Sequence, residues 1–241
     1  MKRKLKIEIG LAVLLLLIAL FGSFLAPYDP LKVNYDFSLQ PPSFLHIFGT
    51  DKLGRDVFSR ILCGAKTSFG LTFLMLFLIV FIGMIVGLIA GLSNDKVESF
   101  FNNIINGLLA FPDTIFAIAI VGIVGAGLFN TVFALALIWW TKYARLTLAL
   151  VKQEKKKNYL VMAQMSGVPP LQRVIRYLLP NILSQILVTA FLDIGNMMIS
   201  LAGLSFLGLA SQPPQPEWGA MLYESKQFMQ VAPWMMFFPG L

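Results

Sequence analysis

The run Phe69–Leu92 carries no ionisable side chain, and it exceeds the roughly 20 apolar residues that a helix needs to cross the hydrocarbon core of a bilayer. Ile7–Ala26 is a second apolar stretch of that length. Lipid offers the backbone no water, so a spanning segment must satisfy its own N–H and C=O groups, and a helix does so. The remainder of the chain agrees. Of its 241 residues 57% are hydrophobic and only 13% charged, about half the charge of a soluble domain. The expected fold class is all-α, a polytopic integral membrane protein.

The apolar runs predict an N-terminal span over 1–26, a polar external segment over 27–68, and a transmembrane domain over 69–241. Within that domain the reading gives spans at Phe69–Leu92, about Phe100–Val124 and Leu128–Leu150, a fifth within Ile182–Leu209, and the start of a sixth at Ala232–Leu241. The first run is read as an uncleaved span: it is longer than a signal-peptide core, and Phe24 stands where a cleavage site prefers a small residue. Gly83, Gly87 and Gly91 recur every four residues and give the second span a flat face for close helix packing. Trp139, Trp140, Lys142, Tyr143 and Arg145 are read as an interfacial belt with snorkelling bases.

The net charge of +7 does not point to nucleic acid, because the bases are grouped. Thirteen of the nineteen Lys and Arg fall on one side if the N-terminus is inside, which predicts a cytoplasmic N-terminus. A single Cys63 excludes an internal disulfide, and a single His46, read as a surface or interface residue, leaves no metal site to assign.

Between the fourth and fifth spans lies a basic loop, 151–181. Tyr159–Ser166 is expected to form a short helix stopped by Gly167, a residue type that suits the left-handed C′ position. Pro169 and Pro170 suit a first turn. Leu171, Val174, Ile175, Leu178 and Leu179 then trace one apolar face opposite Gln172, Arg173 and Arg176, with Pro180 ending the element. Two short helices and a tight turn would make a rigid knob on the cytoplasmic side.

Ala163-x3-Gly167, followed after eleven residues by Leu179-Pro180, resembles the cytoplasmic loop of binding-protein-dependent ABC importer permeases. The family pattern opens with Glu-Ala-Ala, and here those places read Val161, Met162 and Ala163, so a polar contact is missing. Phe48-Gly49-Thr50-Asp51-x-Leu53-Gly54-Arg55-Asp56-x-Phe58-Ser59-Arg60 is similar to a signature of the dipeptide, oligopeptide and nickel group. So are Leu109-Ala110-Phe111-Pro112, Leu204-Ser205-Phe206-Leu207-Gly208-Leu209 and Glu217-Trp218-Gly219-Ala220-Met221. Asp193-Ile194-Gly195-x-Met197-Met198 resembles the nickel branch more than the peptide branch. The family continues past Pro239-Gly240-Leu241 through the rest of a final span, so the chain is read as a fragment.

The resemblance implies a type I ABC importer transmembrane domain that forms half of a translocation path for nickel or a nickel chelate. The alternatives are a dipeptide or oligopeptide permease of the same family, or, in another class, an ion-coupled secondary transporter. Implied partners are a homologous second permease, two ATP-binding cassette ATPases and an extracytoplasmic substrate-binding protein in a bacterial inner membrane. ATP and Mg would sit on the ATPases, and this chain would carry no cofactor and catalyse no bond chemistry. The coupling residues implied are Ala163, Gly167, Pro170, Leu171, Leu179 and Pro180.

Asp113 and Asp193 are the acids expected at membrane depth, where a charge is costly and needs a partner or water. With Asn196, Met197 and Met198 they are the candidate path residues, although methionine more often fills core gaps. Gly49-x4-Gly54 is followed by Arg55-Asp56 rather than Lys and Ser or Thr, so it is not a phosphate loop. Gly49, Asp51, Gly54, Arg55, Asp56 and Arg60 are read instead as an external motif closed by internal ion pairs. Glu217-Trp218-Gly219 fits either a membrane-surface anchor or a docking face.

Overall fold

A computed structural model describes Gly10, residues 16–210 and residues 214–241. Named secondary structure among these residues is helical: α1 Leu16–Leu25, α2 Val57–Leu92, α3 Asp95–Leu109, α4 Asp113–Val124, α5 Leu128–Lys155, α6 Asn158–Met165, α7 Pro170–Phe206, α8 Trp218–Ser225 and α9 Trp234–Phe237. By length and composition α2, α5 and α7 can each cross a membrane, and α3 with α4 would make a fourth crossing, bent by 87°. This differs from the expected five spans and the start of a sixth. Part of the predicted first span and the basic N-terminus lie outside the described residues. The predicted third span is broken where Pro112 denies the helix a backbone donor. The predicted sixth yields only the four-residue α9.

The described residues group into two compact units. One holds those up to Thr72, with Val124–Thr131 and those from Met198 onward; the other holds Phe73–Ile123 and Val132–Met197.

In the first unit α1 lies against the opening turns of α2. Ala19 packs with Ala65 and Phe69, and a Cβ on Gly22 would stand 2.6 Å from the Leu62 carbonyl oxygen. Asp56 caps α2, accepting from the Ser59 N–H at 2.8 Å. A tight turn precedes it, where Gly54 has φ +70 and a Cβ would fall 1.7 Å from the Asn34 carbonyl oxygen. Only glycine fits that position.

In the second unit the glycine face of α2 meets α5. A Cβ on Gly83 would be 2.5 Å from Tyr143 Cβ, one on Gly87 2.6 Å from the Ala144 carbonyl oxygen, and one on Gly91 2.9 Å from Val151 Cβ. The expected belt on α5 is corrected at Tyr143, which is buried, while Lys142 and Arg145 are exposed; Trp140 Nε1 donates to the Leu137 carbonyl at 2.9 Å.

Pro180 does not end its helix, as expected, but lies inside α7. The turn Val174–Leu178 is π-helical, with the Leu179 N–H bonding to the Val174 carbonyl. The widened turn relieves the clash of a proline ring with the preceding carbonyls and absorbs its missing donor.

Candidate functional site

Among the described residues three groups of side chains carry the polar chemistry, two in the second unit and one in the first. In the second unit α5 and α7 each bring one charge to the same point. Lys142 Nζ lies 2.8 and 2.6 Å from the two carboxylate oxygens of Asp193, and the Tyr143 hydroxyl donates to Asp193 at 2.8 Å. The acid side chain is 8% exposed and the lysine 51%. The pair borders a cavity of about 290 Å³ that also includes Asp113, Trp139 and Asn196, with apolar walls from Phe111 and Ile138. Thus the structure brings Asp113, Asp193 and Asn196 together.

Asp113 opens α4, is exposed, and accepts from the Thr114 N–H at 2.8 Å. Trp139 Nε1 is buried without a hydrogen-bond partner. Met197 is fully buried in the core, and Met198 packs with Ala19, Ala65 and Phe69 in the first unit, so neither joins the cavity. Sequence reasoning placed Lys142 at an interface; the overlooked signal was that a span with one acid and a span that carries bases but no acid can neutralise each other. Arg145 donates to Asn106 at 2.6 Å, a second polar bond of the same kind.

The loop beyond α5 forms the second group. α6 ends in a Schellman motif: Gly167, at φ +75, donates to the Gln164 carbonyl at 3.1 Å, and the Val168 N–H reaches the Ala163 carbonyl at 3.1 Å. Ala163 and Leu178 are buried beneath, while Met165 is 83%, Leu171 71% and Ile175 54% exposed. Of the apolar set read on one face, Leu171 and Ile175 point outward while Leu178 is buried. Pro170 begins α7, and Leu179 and Pro180 follow the wide turn. Beside this knob Leu160, Val161, Leu171 and Arg173 border a groove of about 430 Å³, where Arg173 Nε is buried without a partner. Glu154, which sequence reasoning missed, anchors the loop by accepting from Lys157 at 2.5 Å and from the Tyr159 hydroxyl. Burial, and then the adjoining Glu154 carboxylate, push the Tyr159 phenol up to about 12.

The third group lies in the first unit. Asp51 accepts from Arg55 Nε at 2.6 Å and faces Arg60 Nε at 3.6 Å. Glu224 of α8 closes the figure, 2.9 Å from Arg55 and 3.3 Å from Arg60. Both arginines are 1% exposed. Glu224 was not legible in the sequence because it lies 169 residues from Arg55. Gly49, at φ +72, turns the chain before this cluster, and Asp56 holds His46 Nδ1 at 2.9 Å. His46 is 6% exposed between Tyr28 and Phe37, which corrects its reading as a surface residue. Glu217-Trp218-Gly219 is likewise internal rather than an anchor or docking face. Glu217 caps α8 by accepting from Gly219 and Ala220 at 2.9 and 2.8 Å, and Trp218 Nε1 donates to the Ile61 carbonyl at 3.0 Å. Among the described residues no group of three or more His, Cys, Asp or Glu is arranged to hold a metal ion.

Residues 83–241 match the family described as the binding-protein-dependent transport system inner membrane component, and residues 9–42 match the N-terminal TM domain of oligopeptide transport permease C. The di/tripeptide transport system permease protein DppC of Pseudomonas aeruginosa is 38% identical over 240 residues, covering 96% of this chain and 79% of the relative. The nickel transport system permease protein NikC of Escherichia coli is 35% identical over 228 residues, covering 95% and 82%. The dipeptide transport system permease protein DppC of Alkalihalophilus pseudofirmus is 38% identical over 241 residues, covering 99% and 79%.

Proposed function

Because the chain belongs to the family of binding-protein-dependent transport system inner membrane components, we propose that it forms half of a translocation path and that the knob Asn158–Leu178 receives the ATPase stroke. It is a permease subunit of an ABC importer and not itself an enzyme, since in this family ATP hydrolysis belongs to separate subunits. A homologous permease would complete the path, two ATPases carrying ATP and Mg would dock from the cytoplasm, and an extracytoplasmic binding protein would deliver cargo. The N-terminus would be cytoplasmic, on the side of the loop.

The observation that carries this reading is the outward set Met162, Met165, Leu171 and Ile175 on a base fixed by the Gly167 turn and buried Ala163 and Leu178. An apolar crown held rigidly suits a protein groove. The valine at position 161, where the family has glutamate, makes this contact more apolar still. The ATPase subunits should accompany the intact protein through purification in mild detergent. Gly167→Leu, which cannot adopt φ +75 without strain, should release them while the membrane helices stay folded. Retention of the ATPases by that variant would refute the assignment, and transport driven by an ion gradient without an ATPase would favour a secondary transporter.

Two cargo readings have support. Short peptides fit a cavity that offers both an ammonium and carboxylates, and two of the relatives above are named for peptide transport. Nickel, taken as a chelate, is supported by the resemblance around Asp193–Met198 and by a nickel permease relative. Uptake of labelled nickel and labelled dipeptide, compared in cells lacking the gene, separates them: the cargo whose uptake falls is the one carried.

A further inference from the structure

We infer that Lys142 is a resident stand-in for the ammonium group of the cargo, so that the cavity beside Asp193 is a subsite for a small zwitterion. This rests on the permease reading above. Asp193 is the fixed member of the pair: its side chain is 8% exposed and also holds the Tyr143 hydroxyl at 2.8 Å. Lys142 is the movable member, half exposed on a flexible stem. Trp139 lines the same wall.

A cargo ammonium can take the place of Lys142 on Asp193, with Tyr143 remaining bound. The released lysine head then meets the cargo carboxylate. Charge decides the selection. Before and after the exchange every charge of the pair has a counter-charge, so a zwitterion enters without leaving an unpaired ion in a poorly solvated site. A simple cation would strand Lys142, and a simple anion would pull Lys142 away and strand Asp193. A bare dication meets the lysine ammonium at the outset. The volume, about 290 Å³, is at the small end of ligand sites and suits a dipeptide or a compact metal chelate with free amino and carboxylate groups.

The test is ATP-driven uptake by the intact importer in proteoliposomes, with one binding protein used throughout so that changed discrimination reports on the cavity. The cargoes are labelled dialanine, its N-acetyl form and its C-terminal amide. Relative to the native protein, Asp193→Asn should lower the KM penalty for N-acetylation by about ten-fold and leave that for amidation. Lys142→Met should do the reverse. The double variant Lys142→Met/Asp193→Leu leaves no stranded charge, so it is the safeguard for assembly, and it should lower both penalties.

The crossed pattern supports the inference. Uptake of nickel presented with histidine, but not of dialanine, overturns it, because the α-amine and imidazole are then spent on the metal and no free ammonium remains for Asp193. Equal effects of each variant on all three forms, with uptake intact, would make the pair a brace between α5 and α7 and overturn it. Uptake of neither cargo by the native importer overturns both cargo readings and this inference with them.

Discussion

Replacement of Glu224 tests how the first unit holds its α8 to the segment before α2. Glu224 accepts from Arg55 at 2.9 Å and from Arg60 at 3.3 Å, in a site where both arginines are 1% exposed. Glu224→Ala leaves Asp51 alone against two buried guanidinium groups. Breaking a buried pair from one side costs about 3–5 kcal/mol, because the surviving charge is neither solvated nor matched. Arg60→Met/Glu224→Met removes one charge of each sign and leaves the Asp51–Arg55 pair at 2.6 Å intact. It should recover most of that loss, since apolar replacements of a buried pair are often close to neutral. The assay is unfolding of the purified full chain in mixed micelles with increasing SDS, followed by tryptophan fluorescence. A Glu224→Ala variant within about 1 kcal/mol of the native protein, the scale of an exposed pair, would refute the reasoning. So would a double variant less stable than the single one.

Two further outcomes follow from the packing and the loop. Gly87→Ala should weaken the α2–α5 seam by about 1–3 kcal/mol, the cost of overpacking, since its Cβ would lie 2.6 Å from a backbone oxygen. Gly70→Ala on the same helix meets nothing within 4 Å and should be neutral or stabilising in the same unfolding assay; equal losses would sink the argument. Tyr159 should titrate near 12 rather than 10, seen as the difference in phenolate absorbance between native protein and Tyr159→Phe. Because the folded value is raised, its contribution to stability is complete below pH 10 and fades as the pH rises through 12; a midpoint at 10 would remove the Glu154 bond from the account.

The features legible in the sequence were those set by spacing within one segment. The Gly83, Gly87 and Gly91 face, the stop at Gly167 and the pairing of Arg55 and Arg60 with Asp51 all depend on residues a few positions apart. Long-range closure was not legible. Glu224 completes the arginine cluster, and Lys142 meets Asp193 across 51 positions, through helix packing that no local pattern encodes. His46 and Glu217 were misplaced for a related reason. Polar residues in a loop read as exposed, yet each has a buried partner, Asp56 for the histidine and the start of α8 for the glutamate. Pro180 misled because a lone proline reads as a stop, and only the backbone reveals the wide turn that accommodates it.

That wide turn also sets the angular phase of everything after it. A π-helical turn amounts to one extra residue in an α-helix, and each residue of an α-helix rotates the chain by about 100°. Asp193 lies fifteen positions beyond Leu178, too far for that rotation to fade in a stiff helix. The bulge therefore dials the acid onto the bearing of Lys142 and Tyr143. Excision of a single residue from Val174–Leu178 would restore plain α-helix and keep the carboxylate on its bearing, whereas straightening the turn with every residue kept would swing it about 100° away. The address of the charge is written a full four turns upstream of the charge.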